Sequence, residues 1–126
     1  MDDDGSTLKL EVVMALPHDE VLQLELMDLL MAAPEGQMQC RDVYELLATR
    51  FPALTNEELT VPFGTSISHW ANRVQFARLH LVEKGWLLRP YAGDGRGHWK
   101  VSANGRKAFA DHRSATEALL AELDAL

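Results

Sequence analysis

The sequence predicts an α+β fold, mostly helical, in a single domain. Three observations support this prediction: three segments repeat apolar residues at helical spacing, two short apolar runs then flank a glycine-rich turn, and a fourth helical segment closes the chain. The 126 residues are 47% hydrophobic and 25% charged, which is the balance of an ordinary soluble globular domain.

The N-terminal residues have the weakest pattern. Residues 1–6 are expected to form a disordered lead. Residues 7–15 are expected to form a strand because their apolar side chains alternate, although so short a run also fits a helical turn. The alternating residues are Leu8, Leu10, Val12 and Met14.

Two helices and a short helical turn are predicted next. The first helix, of about fourteen residues, follows Pro17, has acidic residues in its first turn and stops at Pro34. The second lies in "CRDVYELLATRF" and ends before Pro52, because the residue before a proline disfavours the helical conformation. Thr55 and Glu58 have the spacing of a capping box, which predicts the short helical turn.

The third main helix is predicted over residues 66–84. Gly64, Thr65 and Ser66 are expected to break the chain and cap this helix, and Gly85 to end it. On a helical wheel one stripe of the helix faces a core. The members of this stripe are Ile67, Trp70, Ala71, Val74, Ala77 and Leu81.

The opposite side of the third helix is expected to change along its length. Its first half carries hydrogen-bonding side chains. The second half carries apolar side chains on this side as well, and is therefore expected to be buried almost all round. These residues are Phe76, Leu79 and Val82.

The spacing of apolar residues changes from a helical to a strand-like pattern after the third helix. "WLLR" and "HWKVS" are short apolar runs separated by "PYAGDGRG", whose glycines suit a hairpin tip, so a β-hairpin is predicted. Alternation places Trp99 and Val101 on one side of the second strand and His98 and Lys100 on the other. The remaining residues, "ANGRKAFADHRSATEALLAELDAL", predict the last helix.

This order of elements predicts a winged helix-turn-helix with a two- or three-stranded wing sheet and an additional C-terminal helix. The winged-helix domain is expected over residues 16–110, with residues 111–126 as the C-terminal part of the last helix. In this architecture the third helix lies on DNA and the hairpin reaches alongside it as a wing.

The last helix extends its apolar register beyond what a small core needs. The register is spaced alternately by three and four residues and comprises Phe109, His112, Thr116, Leu119, Leu123 and Leu126, of which all but His112 are assigned to the dimer contact. We therefore expect a homodimer, in which this helix packs on its two-fold mate or on the first helix of a neighbouring subunit. Packing against its own domain is the alternative.

The net charge is −7, but it is distributed unevenly. Residues 66–107, which we call the basic segment, hold eight Lys or Arg residues and two acidic residues, a balance of +6, while the rest of the chain carries −13. The eight cations are Arg73, Arg78, Lys84, Arg89, Arg96, Lys100, Arg106 and Lys107. Such a distribution is expected of one anion-binding face, and chance clustering on a solvated face is the alternative.

The candidate DNA-binding residues lie on the third helix and on the wing, residues 89–100. Asparagine can bond adenine through two hydrogen bonds and arginine can do the same with guanine, and a cationic wing adds sequence-independent affinity. The candidates are Thr65, Ser66, Ser68, His69, Asn72, Arg73, Arg89, Arg96, His98 and Lys100. Solvated side chains, or an ion pair between Arg73 and a carboxylate of the protein, are the alternatives.

The segments "NRVQFARLHLVEKGWL" and "GHWKVSANGRKAF" resemble the N-terminal winged-helix domain of the Mrr family of restriction proteins. The family pattern runs Asn-Arg-hydrophobic-x-aromatic-Ala, a Leu, a Gly before the first wing strand, and then Gly-x-Trp-x-hydrophobic-Thr-x-x-Gly. The matching positions are Asn72, Arg73, Val74, Phe76, Ala77, Leu81, Gly85, Gly97, Trp99, Val101, Ser102 and Gly105. The departures are Phe76 in place of Trp, Ser102 in place of Thr, and a longer glycine-rich wing tip.

This resemblance implies a DNA-binding module, which in the family is usually fused to a nuclease that cuts DNA carrying modified bases. The sequence contains no Asp followed by a Glu-x-Lys pair on a hairpin. We therefore expect a stand-alone, non-catalytic module that binds double-stranded DNA, modified DNA included, with any nuclease acting in trans.

Other chemistry is not expected. Cys40 is the single cysteine, and the five histidines have no metal-ligand spacing, so neither a metal nor a cofactor is predicted. "GDGRG" lacks the Lys-Ser/Thr of a phosphate loop. No apolar stretch is long enough for a membrane span and the acidic start is unlike a secretion signal, so a cytoplasmic protein without membrane contact is expected.

Two other functions stay open at this point. The domain could serve as a protein-interaction or assembly module in which the acidic surface carries the function. It could also be a small transcription regulator that senses a ligand, although no residue pattern marks a ligand pocket.

Overall fold

The computed structural model describes residues 16–89 and 97–126. These residues form five α-helices and a two-stranded antiparallel sheet, which confirms the predicted α+β, mostly helical fold and is compatible with a winged helix. In chain order the elements are α1 (Asp19–Ala32), β1 (Gln37–Gln39), α2 (Cys40–Ala48), α3 (Asn56–Thr60), α4 (His69–Glu83), β2 (His98–Lys100) and α5 (Ala103–Asp124). The predicted lead over residues 1–6, the predicted strand over residues 7–15 and most of the wing tip, with Arg96, lie outside the described residues.

The core forms where α1, α2 and α4 meet. Its fully buried members are large and apolar, because each of these helices turns one apolar face inward. They include Leu22, Leu26, Met27, Leu30, Val43, Leu47, Trp70, Val74 and Leu81. At the C-terminal end of α4, His80 Nδ1 lies 2.7 Å from Asp19 Oδ2 and Lys84 Nζ donates to Gln23 Oε1 at 2.6 Å, so polar contacts also hold α4 on α1.

The short helix α3 begins as predicted. The Thr55 hydroxyl accepts a hydrogen bond from the Glu58 backbone N–H at 3.1 Å, and the Glu58 carboxylate accepts from the Thr55 N–H at 2.8 Å. This reciprocal capping box satisfies two backbone donors at the start of α3 and fixes the turn that leads toward α4.

The predicted start of α4 is wrong by three residues. The helix begins at His69, and its cap is Ser68, whose hydroxyl accepts from the Ala71 N–H at 3.0 Å. Ser66 therefore does not cap the helix. Ile67, predicted in the core stripe, precedes the helix and is 74% exposed. The other members of the stripe are buried as predicted, namely Trp70, Ala71, Val74, Ala77 and Leu81.

The second half of α4 is not buried all round, which corrects a further prediction. Phe76 is 50% exposed and Leu79 is 47% exposed. No described element packs over this outward side of α4, so its apolar side chains remain in contact with solvent.

The wing sheet pairs differently from a simple hairpin. Strand β2 is hydrogen-bonded to β1, with Trp99 opposite Met38 in antiparallel register. On its other edge, the Leu88 N–H donates to the Lys100 carbonyl at 2.9 Å and Leu87 bridges Val101. The predicted pairing of "WLLR" with "HWKVS" thus exists at its base, while the strand Gln37–Gln39 was not predicted because its residues are mostly polar.

Ser102 and Gly105 each have a structural role at the start of α5. The Ser102 hydroxyl accepts from the Gly105 N–H at 2.9 Å and donates to the Gly85 carbonyl at 2.6 Å, so it caps α5 and ties it to the end of α4. Gly105 lies against Trp86, and a Cβ at this position would be 2.1 Å from the Trp86 carbonyl oxygen. Only glycine allows this approach of helix and backbone.

We expect Gly105→Ala to destabilise the domain by about 1–3 kcal/mol or more, because a buried methyl group would overlap backbone that has no free space. Asn104→Ala is the matched control: it changes an exposed residue of the same turn and is expected to shift the stability by less than about 0.5 kcal/mol. Chemical denaturation followed by circular dichroism measures both. Equal denaturation midpoints for the two variants would contradict the assigned packing.

Candidate nucleic-acid interface

Helix α4 is fixed on α2 by a tryptophan at its N-terminal end. Trp70 is buried, its indole N–H donates to the Tyr44 carbonyl at 2.9 Å, and its ring lies 5.8 Å from that of Phe51. A buried tryptophan with a satisfied N–H is a rigid anchor. The opposite side of the first two turns of α4 is therefore presented in a fixed orientation.

The segment before α4 folds back onto the helix. Phe63 and Ser66 exchange two backbone hydrogen bonds, and the Phe63 ring stacks on His69 with 4.2 Å between centroids. The Ser66 hydroxyl donates to Asn72 Oδ1 at 3.2 Å. The Asn72 amide group keeps its N–H donors without a described partner, so it remains available to an acceptor outside the protein.

Thr65 and Ser68, two predicted DNA-binding residues at this end of α4, differ in exposure. Thr65 is exposed. Ser68 is buried and its hydroxyl caps α4, so it has no surface to offer to a ligand. We therefore remove Ser68 from the candidate interface.

The outward face of α4 combines polar and apolar side chains. Asn72, Phe76 and Leu79 are spaced by four and three residues, so they lie along one face of the helix. Arg73 flanks this face, is partly exposed, and forms no side-chain hydrogen bond or ion pair with a described residue. The face offers an amide, an aromatic ring and a guanidinium group side by side.

In strand β2 the predicted alternation is confirmed. Trp99 is buried, while His98 and Lys100 are partly exposed and project from the opposite side of the strand. His98 lines a cavity of about 400 Å³ together with Glu35, Gln39 and Asp42. The structure therefore places His98 beside carboxylates, away from the side of β2 that packs on α4, whereas Arg89 is exposed at the entry to the wing.

The described cations of the basic segment are not neutralised by described carboxylates. None of its seven members that the structure describes forms an ion pair with a carboxylate of residues 16–89 and 97–126. Outside the segment the pattern differs: Arg50 pairs with Glu25 at 3.1 Å and with Asp28 at 2.8 Å, and Arg113 pairs with Asp28 at 3.3 Å. Glu25 and Asp28 thus pair with arginines elsewhere, and the described cations of the basic segment have no carboxylate partner among the described residues.

The structure adds one residue, Arg78, to the predicted candidates. Its guanidinium carbon lies 5.0 Å from the centroid of the Trp99 ring, which joins α4 to the wing strand. Burial lowers the pKa of Arg78. On the helical wheel Arg78 lies about 40° from Val74, so its position on the inward side of α4 could have been predicted from the sequence.

The residues predicted to form the dimer interface differ in burial along α5. Phe109 is buried in the core of its own domain and cannot also contact a second subunit, which corrects that prediction. Thr116 lines a cavity of about 390 Å³ between α1 and α5. Leu119 and Leu123 are 58% and 57% exposed, and Leu126 is fully exposed.

Within residues 16–89 and 97–126, no group of three or more His, Cys, Asp and Glu side chains could hold a metal ion. Among the same residues, no helix combines the length and the apolar character needed to cross a lipid bilayer.

A family model described as the Mrr N-terminal domain matches residues 23–111 of the chain. No curated protein and no solved structure matches the chain significantly.

Proposed function

This chain belongs to the Mrr N-terminal domain family, and from that premise we propose that it binds double-stranded DNA without cutting it. The family suggests a DNA-binding role in restriction-type systems, and the matched domain is a non-catalytic one. The family match covers α2, α3, α4 and the wing strands, which carry the candidate interface.

The observation that best supports this proposal is the absence of carboxylate partners around the described cations of the basic segment, in a chain with a net charge of −7. In an acidic protein, unpaired cations concentrated in one segment attract a polyanion locally. The acidic remainder repels the same polyanion, which fixes the orientation of approach.

In the proposed complex the front of α4 enters the major groove. Asn72 and Arg73 are assigned to base edges, since an amide matches adenine and a guanidinium matches guanine. His69 is assigned to a base edge or a phosphate. Phe76 adds an exposed ring of the kind that contacts a thymine methyl group.

The remaining assigned contacts are made to the DNA backbone. Thr65 and Ser66 lie in the turn that precedes α4, and Arg89 lies at the entry to the wing. Lys100 and Arg96 complete the wing contacts proposed from the sequence. Such contacts position a protein on the duplex and add affinity that falls with salt.

We expect Arg73→Ala and Arg89→Ala each to weaken duplex binding about five- to tenfold and to reduce the slope of log affinity against log salt concentration by about one. Fluorescence anisotropy with a labelled duplex, between about 50 and 200 mM salt, measures both quantities. Arg113→Ala is the matched control, because this arginine is exposed and already paired with Asp28, so its loss is expected to leave both quantities unchanged.

Two outcomes would count against DNA binding. If the wild-type chain binds no duplex at about 50 mM salt, the domain is better explained as a protein-interaction module, which the exposed Phe76 and Leu79 would also serve. If Arg113→Ala weakens binding as much as Arg73→Ala, the contact surface is assigned to the wrong side of the molecule.

We also propose a homodimer formed through the C-terminal half of α5. Leu119, Leu123 and Leu126 are spaced by four and three residues, so they form a stripe on one face of the helix. Residues 110–126 are exposed along their whole length, and a leucine stripe without a described partner is the kind of surface that pairs with a second copy. A two-fold dimer would suit a palindromic DNA site.

We expect Leu119→Glu combined with Leu123→Glu to give a monomer by size-exclusion chromatography with light scattering, because two charges would have to be desolvated in the interface. Ala121→Glu is the matched control, since it adds a charge to the opposite side of the same helix and is expected to preserve the dimer. A wild-type chain that is monomeric at high micromolar concentration would contradict the proposed interface.

The proposed role is that of the DNA-recognition module of a restriction or defence system, with cleavage supplied by a separate nuclease module. The family match supports this role. The anisotropy titration, repeated with duplexes that carry methylated and unmodified cytosine, measures whether the module prefers modified DNA.

A further inference from the structure

Arg78 lies at the junction of α2, α4 and β2, with its guanidinium group over the Trp99 ring. We call this junction, defined by Tyr44, Arg78 and Trp99, the crevice. Besides the contact of the guanidinium with the indole, the Tyr44 ring packs edge-on against the same indole, with 5.7 Å between centroids. Gln75 Nε2 donates to the Tyr44 hydroxyl at 2.9 Å, which fixes the orientation of the phenol. The guanidinium group is therefore positioned before any ligand arrives.

The Arg78 guanidinium has no acceptor within the described protein. It forms no ion pair and no hydrogen bond with residues 16–89 and 97–126. Its Nε is inaccessible to solvent and has no partner, whereas the two terminal nitrogens, also without partners, keep accessible surface. A cation that is partly desolvated and unpaired destabilises the free protein, since burial disfavours the charged form.

Arg50 is a partly buried arginine that has acceptors within the protein, and it serves as a comparison for Arg78. It donates to the carboxylates of Glu25 and Asp28 and to the Glu25 carbonyl. Arg78 has none of these contacts. The difference indicates that the acceptor for Arg78 lies outside the described residues.

The crevice has the donors that a phosphate group requires. A planar guanidinium group binds phosphate through two parallel hydrogen bonds, and its stacking on Trp99 reduces the side-chain entropy lost on binding. Because Gln75 donates to the Tyr44 oxygen, the Tyr44 hydroxyl hydrogen is free to donate to a second phosphate oxygen. Burial raises the pKa of Tyr44, so this hydroxyl stays protonated at neutral pH.

The position of the crevice relates it to the DNA-binding face. Gln75 is exposed and lies one helical turn before Arg78 and three residues after Asn72. The Cys40 N–H donates to the Gly97 carbonyl at 2.7 Å, which holds the start of α2 against the wing strand. A duplex seated on the front of α4 would bring its backbone to this junction of α2, α4 and β2.

We propose that Arg78, with the Tyr44 hydroxyl, forms a preorganised site for one backbone phosphate of the DNA duplex. This inference rests on the DNA-binding function proposed above. It assigns to Arg78 a binding role that the sequence pattern, which places this residue on the inward side of α4, did not predict.

The test compares Arg78→Met with the wild type and with Arg113→Met. Methionine keeps an unbranched side chain against Trp99 and removes the charge and the donors. For Arg78→Met we expect duplex affinity to fall about five- to tenfold and the salt slope to decrease by about 0.9, the value for one lost phosphate contact. The thermal midpoint is expected to stay equal or to rise, because a desolvated charge is removed. Arg113→Met is expected to keep the wild-type affinity and slope.

Two further variants separate the parts of the site. Arg78→Lys keeps the charge and loses the planar fork, so the salt slope is expected to stay near the wild-type value while the affinity falls. Tyr44→Phe removes only the hydroxyl, and its affinity is expected to fall severalfold with an unchanged slope, because no charge is lost.

The outcomes distinguish this inference from the proposed function. If the wild type binds duplex and Arg78→Met binds with the same affinity and slope, Arg78 is a structural residue and the inference fails while the function stands. If the wild type binds no duplex, both fail. If millimolar inorganic phosphate raises the thermal midpoint of the wild type as much as duplex does, and Arg78→Met abolishes that effect, the site takes free phosphate and the assignment to DNA is overturned.

Discussion

The burial of one stripe of α4 is the constraint on which the rest of the molecule depends. Trp70, Val74 and Leu81 lie in the core, and this fixes both the position and the rotation of the helix on α1 and α2. Once the rotation is fixed, Asn72 and Phe76 must face outward and Arg78 must face the wing strand. The same packing that stabilises the domain thus determines which side chains a partner can reach.

Charge is arranged around this packing in two ways. Asp28 and Glu25 of α1 form ion pairs within the protein, with Arg50 just after α2 and, in the case of Asp28, with Arg113 of α5. The cations near α4 and the wing receive no such partner from the described residues. Exposed ion pairs contribute little to stability, so leaving exposed cations unpaired costs the fold little and keeps their full charge for a ligand.

The sequence predicted those features that depend on local chemistry. The capping box of Thr55 and Glu58 and the alternation of Trp99 in β2 each follow from a few neighbouring residues, and both are confirmed. The strand Gln37–Gln39 depends on a pairing with residues about sixty positions away and has no apolar pattern, so nothing local indicated it. Phe76 was predicted to be buried because an apolar side chain is assigned to a core by default. Only the arrangement of the other elements decides that no described element covers it.

The position of Arg78 shows why a binding residue can escape a sequence-based search. Such a search selects polar residues on the outward side of a helix, and Arg78 lies on the inward side. Its long side chain crosses the face of Trp99 to return its terminal nitrogens to solvent, so the charged end and the Cα occupy different environments. An aromatic ring that supports a guanidinium in this way weakens its hydration without neutralising it. The charge therefore costs the free protein some stability, and an anion that reaches the crevice recovers that cost as binding energy, because the desolvation has already taken place.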